Sequence, residues 1–255
     1  MSWVITGTQK IDPDALAYLT EVERADGQAL ESGVRDAVIA FVAGCKTDGI
    51  WSAIKASCIL MGARTLNGAL VPLVGTAPTN YNFSDYQRKT GIKKTGATVT
   101  YLDTGVAGSS SLVSQNNVHM SVGANERNTT NPRFIGTDSA SVTGACVLDV
   151  GNNVAVRLFG SASSTFFGTS GTFWGGSRSG STNVTILSGG TVNTYSQSSA
   201  TPVSANFCVG GSPNSGTAST NSSRFYFYSI GTSIDLALLD SRVATLNSAI
   251  TAAIP

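Results

Sequence analysis

The sequence predicts a mainly β protein, an antiparallel β-sandwich of the jelly-roll type, with an N-terminal helical head and a C-terminal helix. Hydrophobic residues make up 41% of the 255 positions and charged residues only 12%, against roughly 25% in average proteins. Beyond residue 68, many short apolar runs are bounded by Gly, Asn, Ser or Pro, which is typical of strands and turns. Near both termini, apolar residues instead recur at helical spacings.

Residues 1–67 are predicted to form an N-terminal strand and the helical head. Asp12 and Pro13 are a helix start signal for a short first helix that ends near Gly27. The second helix carries one continuous apolar stripe, composed of Leu30, Val34, Ala37, Val38, Phe41, Val42 and Cys45. A third helix is predicted over residues 50–62, with one side formed by Ile54, Cys58 and Met61.

Residues 68–232 are predicted to form the sandwich. The candidate strands cover residues 69–74, 99–103, 118–123, 145–150, 154–159, 172–175, 183–187, 207–210 and 225–230. Gly189 and Gly190 predict a tight hairpin turn, because glycine readily adopts positive φ. Residues 233–255 are predicted to form a helix that packs back on the body, with Asp235 as its cap and an apolar stripe of Leu236, Leu239, Val243, Leu246 and Ile250.

Charge and hydropathy exclude several classes of function. The net charge of +1 provides no field that would attract nucleic acid. No run reaches the ~18 to 20 apolar residues of a membrane span, and the N-terminus lacks the basic and apolar regions of a signal peptide. We therefore expect no nucleic-acid partner, no membrane insertion and no export through this segment.

The four cysteines have no metal-binding or redox spacing. Cys45 and Cys58 fall in helical patterns, and Cys146 and Cys208 fall in strand patterns. We expect buried thiols that act as small apolar residues. The alternative is a disulfide, for which Cys146 and Cys208 are the best pair.

The sequence offers little material for catalysis or metal binding. His119 is the one histidine and lies in a strand pattern, and no Gly-x-Ser-x-Gly elbow presents a nucleophilic serine. The acids of the β-region do not pair within any strand as a glycosidase would require; they are Asp103, Glu126, Asp138 and Asp149. We expect no enzyme activity and no cofactor, with a calcium ion at Asp103 or Asp138 as an unsupported alternative.

Two apolar or aromatic groups are candidate contact surfaces. Strand alternation over residues 225–228 places Tyr226 and Tyr228 on one face, opposite the two phenylalanines. These tyrosines would contact a helix of the same chain, a neighbouring subunit or a sugar. Phe41, on the stripe of the second helix, contacts either a partner or the rest of the same chain.

Eight segments together resemble a known family. They are residues 49–55 (GIWSAIK), 63–66 (ARTL), 70–75 (LVPLVG), 85–91 (DYQRKTG), 101–105 (YLDTG), 115–117 (QNN), 173–178 (FWGGSR) and 183–185 (NVT). The terminal helix that follows residues 228–231 (YSIG) completes the set. The set is similar to the laminin-G-like, concanavalin-A-like sandwich proteins of tailed bacteriophages. This resemblance covers about residues 14–252 and carries no catalytic residues.

The resemblance implies a virion protein. Its first implied role is capsid decoration or cementing, in contact with other virion proteins and as a homo-oligomer. The second is a tail-associated adhesin that binds host surface glycans. A sandwich glycanase is a third hypothesis, which the resemblance itself does not imply. Fold analogy alone does not separate these roles.

Overall fold

The computed structural model describes residues 11–95, 99–127, 133–137, 145–150, 153–160, 165–168, 171–211 and 222–255. Its helices are α1 (Pro13–Asp26), α2 (Ser32–Thr47), α3 (Leu66–Ala69) and α4 (Leu236–Ala253). A 3₁₀ turn, Trp51–Ala53, links α2 to the first strand. The predicted N-terminal strand falls largely before residue 11 and so lies outside the described residues.

Within the described residues, fifteen strands form two antiparallel sheets. In chain order they are β1 (Ile54–Ile59), β2 (Thr79–Tyr81), β3 (Phe83–Gln87), β4 (Gly91–Lys94), β5 (Tyr101–Ala107), β6 (Val118–Glu126), β7 (Arg133–Thr137), β8 (Ala145–Val150), β9 (Asn153–Leu158), β10 (Thr165–Gly168), β11 (Phe173–Arg178), β12 (Asn183–Ser188), β13 (Thr191–Ser196), β14 (Asn206–Val209) and β15 (Arg224–Gly231). Sheet A has the order β13-β12-β11-β6-β15-β4-β3, with β1 also paired to β15. Sheet B has the order β10-β9-β8-β7-β14-β5-β2.

The two sheets enclose the first hydrophobic core. Side chains that point inward from both sheets fill it, among them Met120, Phe134, Trp174, Phe207 and Tyr228. The rings of Phe134 and Trp174 stack with centroids 5.0 Å apart. This packing confirms the predicted fold class, an antiparallel β-sandwich.

A second core lies on the outer face of sheet A, under the helices. It joins the apolar stripes of α2 and α4 to residues of β1, β11 and β15. Phe41 of α2 meets Phe227 of β15 edge to face, with ring centroids 5.8 Å apart, and Arg242 of α4 binds the Asp48 carboxylate at 2.7 and 2.9 Å. The helices are thus a third layer on the sandwich rather than a detached head.

The predictions for α1, α2 and α4 are confirmed. Asp12 caps α1 through the Asp14 amide, and Asp235 caps α4 through two amides. Every residue of the predicted stripes of α2 and α4 is buried. Gly189 and Gly190, with φ of 61° and 73°, form the predicted turn between β12 and β13.

Two element predictions are wrong. Residues 54–59 form the strand β1 and not a helix. The sequence pattern misleads here because side chains of β1 are buried on both faces of sheet A. Burial on both faces removes the alternation that marks a half-exposed strand. Residues 69–74 do not form the predicted strand. Ala69 ends α3, and residues 70–74 form a loop that meets β1 through one isolated bridge between Ser57 and Val74.

The prediction that side chains alternate strictly between the two faces of β15 is also wrong. Phe225 and Tyr228 point into the sandwich core, whereas Tyr226 and Phe227 point toward the helices. The register with β6 shifts here, because Phe225 and Phe227 lie opposite consecutive residues of β6. Tyr226 is therefore the extra residue of a β-bulge, and the bulge reverses the faces of the residues beyond it.

Two buried arginines connect distant parts of the sandwich. Arg178 on β11 is completely buried and donates to the carbonyl oxygens of Leu158 and Gln197 at 2.9 and 2.7 Å, which ties sheet A to sheet B. Arg224 on β15 binds the carboxylates of Asp85 and Glu126. Among the described helices, none combines the length and apolar composition needed to cross a bilayer.

Replacing Phe41 with Asp tests whether the helical layer is part of one folding unit. We expect Phe41→Asp to lower the free energy of unfolding by at least about 3 kcal/mol, because the change removes a core ring and buries a charge. Ala40→Asp is the matched control, since Ala40 is the exposed neighbour on α2. Chemical denaturation followed by tryptophan fluorescence measures both. Equal small losses for the two variants would contradict the layered core.

Candidate functional site

The structure buries all three predicted contact residues within the chain. Phe41 is 3% exposed, Tyr226 2% and Tyr228 0%. Phe41 packs on β15, and the hydroxyl of Tyr226 donates to the Thr172 carbonyl at 3.3 Å. Of the alternatives that the sequence left open for Phe41, Tyr226 and Tyr228, contact within the same chain is the one the structure shows, because these side chains fill the two cores on either face of sheet A.

His119 lies on the helix-facing side of sheet A and is completely buried. Its Nδ1 donates to the Thr232 carbonyl at 2.5 Å, and its Nε2 accepts from the Ser229 hydroxyl at 2.7 Å. Burial lowers the pKa of His119 to about 4. A serine thus lies beside the histidine, but both are sealed from substrate and a backbone carbonyl takes the place of the triad's acid.

The predicted acidic residues do not converge. Asp103 on β5 accepts hydrogen bonds from the Asn206 side chain at 3.0 and 3.2 Å and from the Gly105 amide at 2.9 Å. Glu126 binds Lys93 and Arg224. Asp138 and the side chain of Asp149 lie outside the described residues. Within the part of the chain that the structure describes, no three acidic, histidine or cysteine residues form a metal-binding group.

The cysteines follow the buried-thiol prediction where the structure describes them. Cys45, Cys58 and Cys208 are buried thiols, although Cys58 lies on β1 and not on a helix. Gly136 pairs with Cys208 on one side and with Cys146 on the other. The two cysteine backbones are therefore two strand spacings apart, roughly 9.6 Å, which exceeds the reach of a disulfide.

The candidate site is an open cleft between α1 and the loop that follows α3. Its volume is about 720 Å³, within the range of small-ligand sites. One wall is the exposed side of α1, and the other is an apolar stretch of the loop that includes Leu70, Val71, Pro72 and Pro78. Trp51, from the 3₁₀ turn, joins the lining.

Trp51 is held in place by ionic neighbours. Its indole N–H donates to Asp14 Oδ2 at 3.0 Å, and the Lys46 ammonium lies 5.7 Å from the ring centroid. Lys46 also contacts the carboxylates of Asp14 at 2.6 Å and Asp12 at 2.8 Å. Hydrogen bonding to Asp12 and Asp14 raises the pKa of Lys46, and the bond to Lys46 lowers the pKa of Asp12. The aromatic ring is therefore preorganised.

Polar side chains complete the cleft. Glu21 and Arg24 form an exposed ion pair at 2.7 Å along α1, and Asn67 of α3 also lines the cleft. Tyr18 also lines the cleft with only 6% of its surface exposed, and burial raises its pKa well above the ordinary value. The cleft therefore offers carboxylate, guanidinium and amide groups beside aromatic and apolar surface.

No local pattern in the sequence predicts this cleft. Its residues come from α1, the 3₁₀ turn and the loop after α3, and only the tertiary fold brings these segments together. One local signal was available. Trp51 follows a helix-ending Gly49, and a large aromatic residue in a short connection, outside any apolar stripe, is a candidate binding residue.

No protein-family model and no curated protein sequence matches this chain. Among solved structures, it is similar to the binding domain of botulinum neurotoxin serotype D, with a TM-score of 0.51 and 11% identity over 77% of this chain and 51% of that chain. For a mutant of Trypanosoma rangeli sialidase that displays trans-sialidase activity, the TM-score is 0.48 and the identity is 10%, over 93% of this chain and 38% of that chain. For domains LG4-5 of the mouse laminin alpha1 chain, the TM-score is 0.36 and the identity is 11%, over 63% of this chain and 43% of that chain. The chain thus spans about half or less of each, and the likeness to the toxin domain shows the fold.

The buried neutral His119 predicts a specific loss of stability in acid. The unfolded chain takes up a proton near pH 6.5, whereas folded His119 resists protonation until about pH 4. The contribution of neutral His119 to the free energy of unfolding is therefore complete above pH 6.5. About 3 kcal/mol of it is lost as the pH falls toward 4. We expect His119→Gln to lose less stability than wild type over this interval in urea unfolding. Parallel pH profiles for the two proteins would refute the assignment.

Proposed function

We propose that this chain is a non-enzymatic glycan-binding module, and that the cleft beside Trp51 is its binding site. The observation that carries the proposal is the composition of this cleft. A fixed aromatic side chain lies beside carboxylate, amide and guanidinium groups, within a concave space of about 720 Å³. The fold supports a binding role, because the similar toxin structure is itself named a binding domain.

Sugars match both parts of this lining. Their C–H faces pack on aromatic and apolar side chains such as Trp51, Val71 and Pro72. Their hydroxyl groups pair with planar groups that accept or donate two hydrogen bonds, as Glu21 and Asn67 do. The Asp14 and Lys46 contacts fix the tryptophan in advance, which lowers the entropy lost on binding.

A location on the surface of a bacteriophage particle belongs to the same proposal. Its support is the resemblance of eight sequence segments to sandwich proteins of tailed phages. In that setting the cleft would bind host surface glycans, and the chain would function as an adhesin.

Capsid decoration is the second candidate function. It requires a surface that contacts other virion proteins, and the uncharged edge strand β13 is the observation that favours it. A reconstruction of the phage particle distinguishes the two roles. Density for the chain on the shell supports decoration, and density restricted to the tail supports the adhesin.

Replacing Trp51 with Ala tests the cleft directly. We expect Trp51→Ala to weaken binding to the best ligand of a bacterial surface-oligosaccharide array by at least roughly tenfold, because the sugar loses its stacking surface. Tyr81→Ala is the matched control, since Tyr81 is an exposed aromatic residue, 41% accessible, in sheet B. Calorimetric titration gives the affinities.

Three results would contradict the proposal. Flat responses across the whole array would remove the glycan-binding function. Loss of affinity in Tyr81→Ala but not in Trp51→Ala would assign the binding site to sheet B, where the rings of Tyr81 and Tyr101 stack with centroids 4.4 Å apart. Release of reducing sugar from the bound oligosaccharide would overturn the non-enzymatic assignment.

A further inference from the structure

We propose that strand β13 is the surface through which two copies of this chain associate, by antiparallel pairing of their sheet A edges. Among the described strands, β13 pairs with β12 alone. The side of its backbone that faces away from β12 therefore carries N–H and C=O groups without strand partners. Such an edge is a template for another strand.

The other edge strands of the two sheets are either shorter than β13 or interrupted by a register shift. Strand β10 has four residues, and β1 contains a register shift and meets Val74 through an isolated bridge. Strand β2 has three residues and follows Pro78. Strand β3 contains a register shift and carries Asp85, which binds Arg224. Strand β13 has six residues in unbroken register, five of them exposed, and contains neither a charged residue nor proline. Natural edges usually include at least one such feature to prevent pairing.

The hairpin geometry identifies the outward backbone groups. A two-residue loop makes its flanking pair, Ser188 and Thr191, hydrogen-bonded. Hydrogen-bonded and non-hydrogen-bonded pairs then alternate along the ladder. The backbones of Val192, Thr194 and Ser196 consequently point away from β12 and toward solvent.

These groups are self-complementary about a two-fold axis at Thr194. In that register Thr194 lies opposite Thr194 of the second copy, and Val192 lies opposite Ser196. Each of these pairs exchanges two backbone hydrogen bonds. No charges meet across the axis, and Val192, which is 37% exposed, becomes covered. The second copy fits this edge because the edge presents nothing that repels itself.

One strand pair buries less area than the ~1,200 Å² of a stable interface. The dimer is therefore weak in free solution, and its population rises with protein concentration. Sedimentation velocity over a concentration series of the full chain should show a monomer that shifts toward a dimer.

Single cysteine variants test the register. Cα atoms of a hydrogen-bonded antiparallel pair lie about 5.5 Å apart, which suits a disulfide. Under mild oxidation at high protein concentration, Thr194→Cys should form a covalent dimer on non-reducing gels. Val192→Cys is the matched control on the same strand. It should form no covalent dimer, because position 192 lies opposite Ser196 of the second copy. The double variant Val192→Cys with Ser196→Cys should cross-link again. Wild type gives the background of the native thiols.

A proline variant tests the hydrogen bonds. Thr194→Pro removes an outward N–H and leaves the bonds to β12 in place, so the melting temperature should stay unchanged while the dimer disappears. Thr194→Lys, which places two lysines at the axis, should also abolish the dimer. A dimer that persists in both variants would overturn the proposal. So would a wild type that stays monomeric, or equal cross-linking by Thr194→Cys and Val192→Cys.

Discussion

The structure depends on the burial of sheet A on both of its faces. All eight residues of β15 are buried, and the bulge at Tyr226 directs Phe225 and Tyr228 into the sandwich while Tyr226 and Phe227 face the helices. A strand with large apolar side chains on both faces is stable only when both faces are covered. Sheet B covers one face, and α2 and α4 must cover the other.

This requirement also explains where the candidate site lies. Once α2 is fixed on β15, the 3₁₀ turn that carries Trp51 must lie between the end of α2 and the start of β1. Lys46 near the end of α2 reaches Asp12 and Asp14 at the start of α1, and so joins α1 to Trp51. The cleft is therefore a consequence of the helical layer and not an addition to it.

Local sequence patterns predict the helices and turns that are buried on one side only. The stripes of α2 and α4 and the two-glycine hairpin follow rules that act within a few residues, so the sequence shows them directly. Strand β1 was misassigned because burial on both faces removes its alternation, and the apolar residues Ile54, Cys58 and Met61 then fit a helical spacing equally well. The bulge at Tyr226 depends on the pairing partner β6, and the cleft depends on three segments that meet only in the folded chain. Neither leaves a local pattern.

Chemical-shift mapping tests the central claim most directly. An ¹⁵N-labelled sample would be titrated with an oligosaccharide from the bacterial surface array, while the tryptophan indole N–H signals are followed. The account predicts that the Trp51 indole and the Asn67 side-chain amide shift in a saturable way, and that Trp174, buried in the sandwich core, stays unchanged as an internal reference. A saturable response confined to residues of sheet B, with Trp51 and Asn67 unmoved, would contradict it.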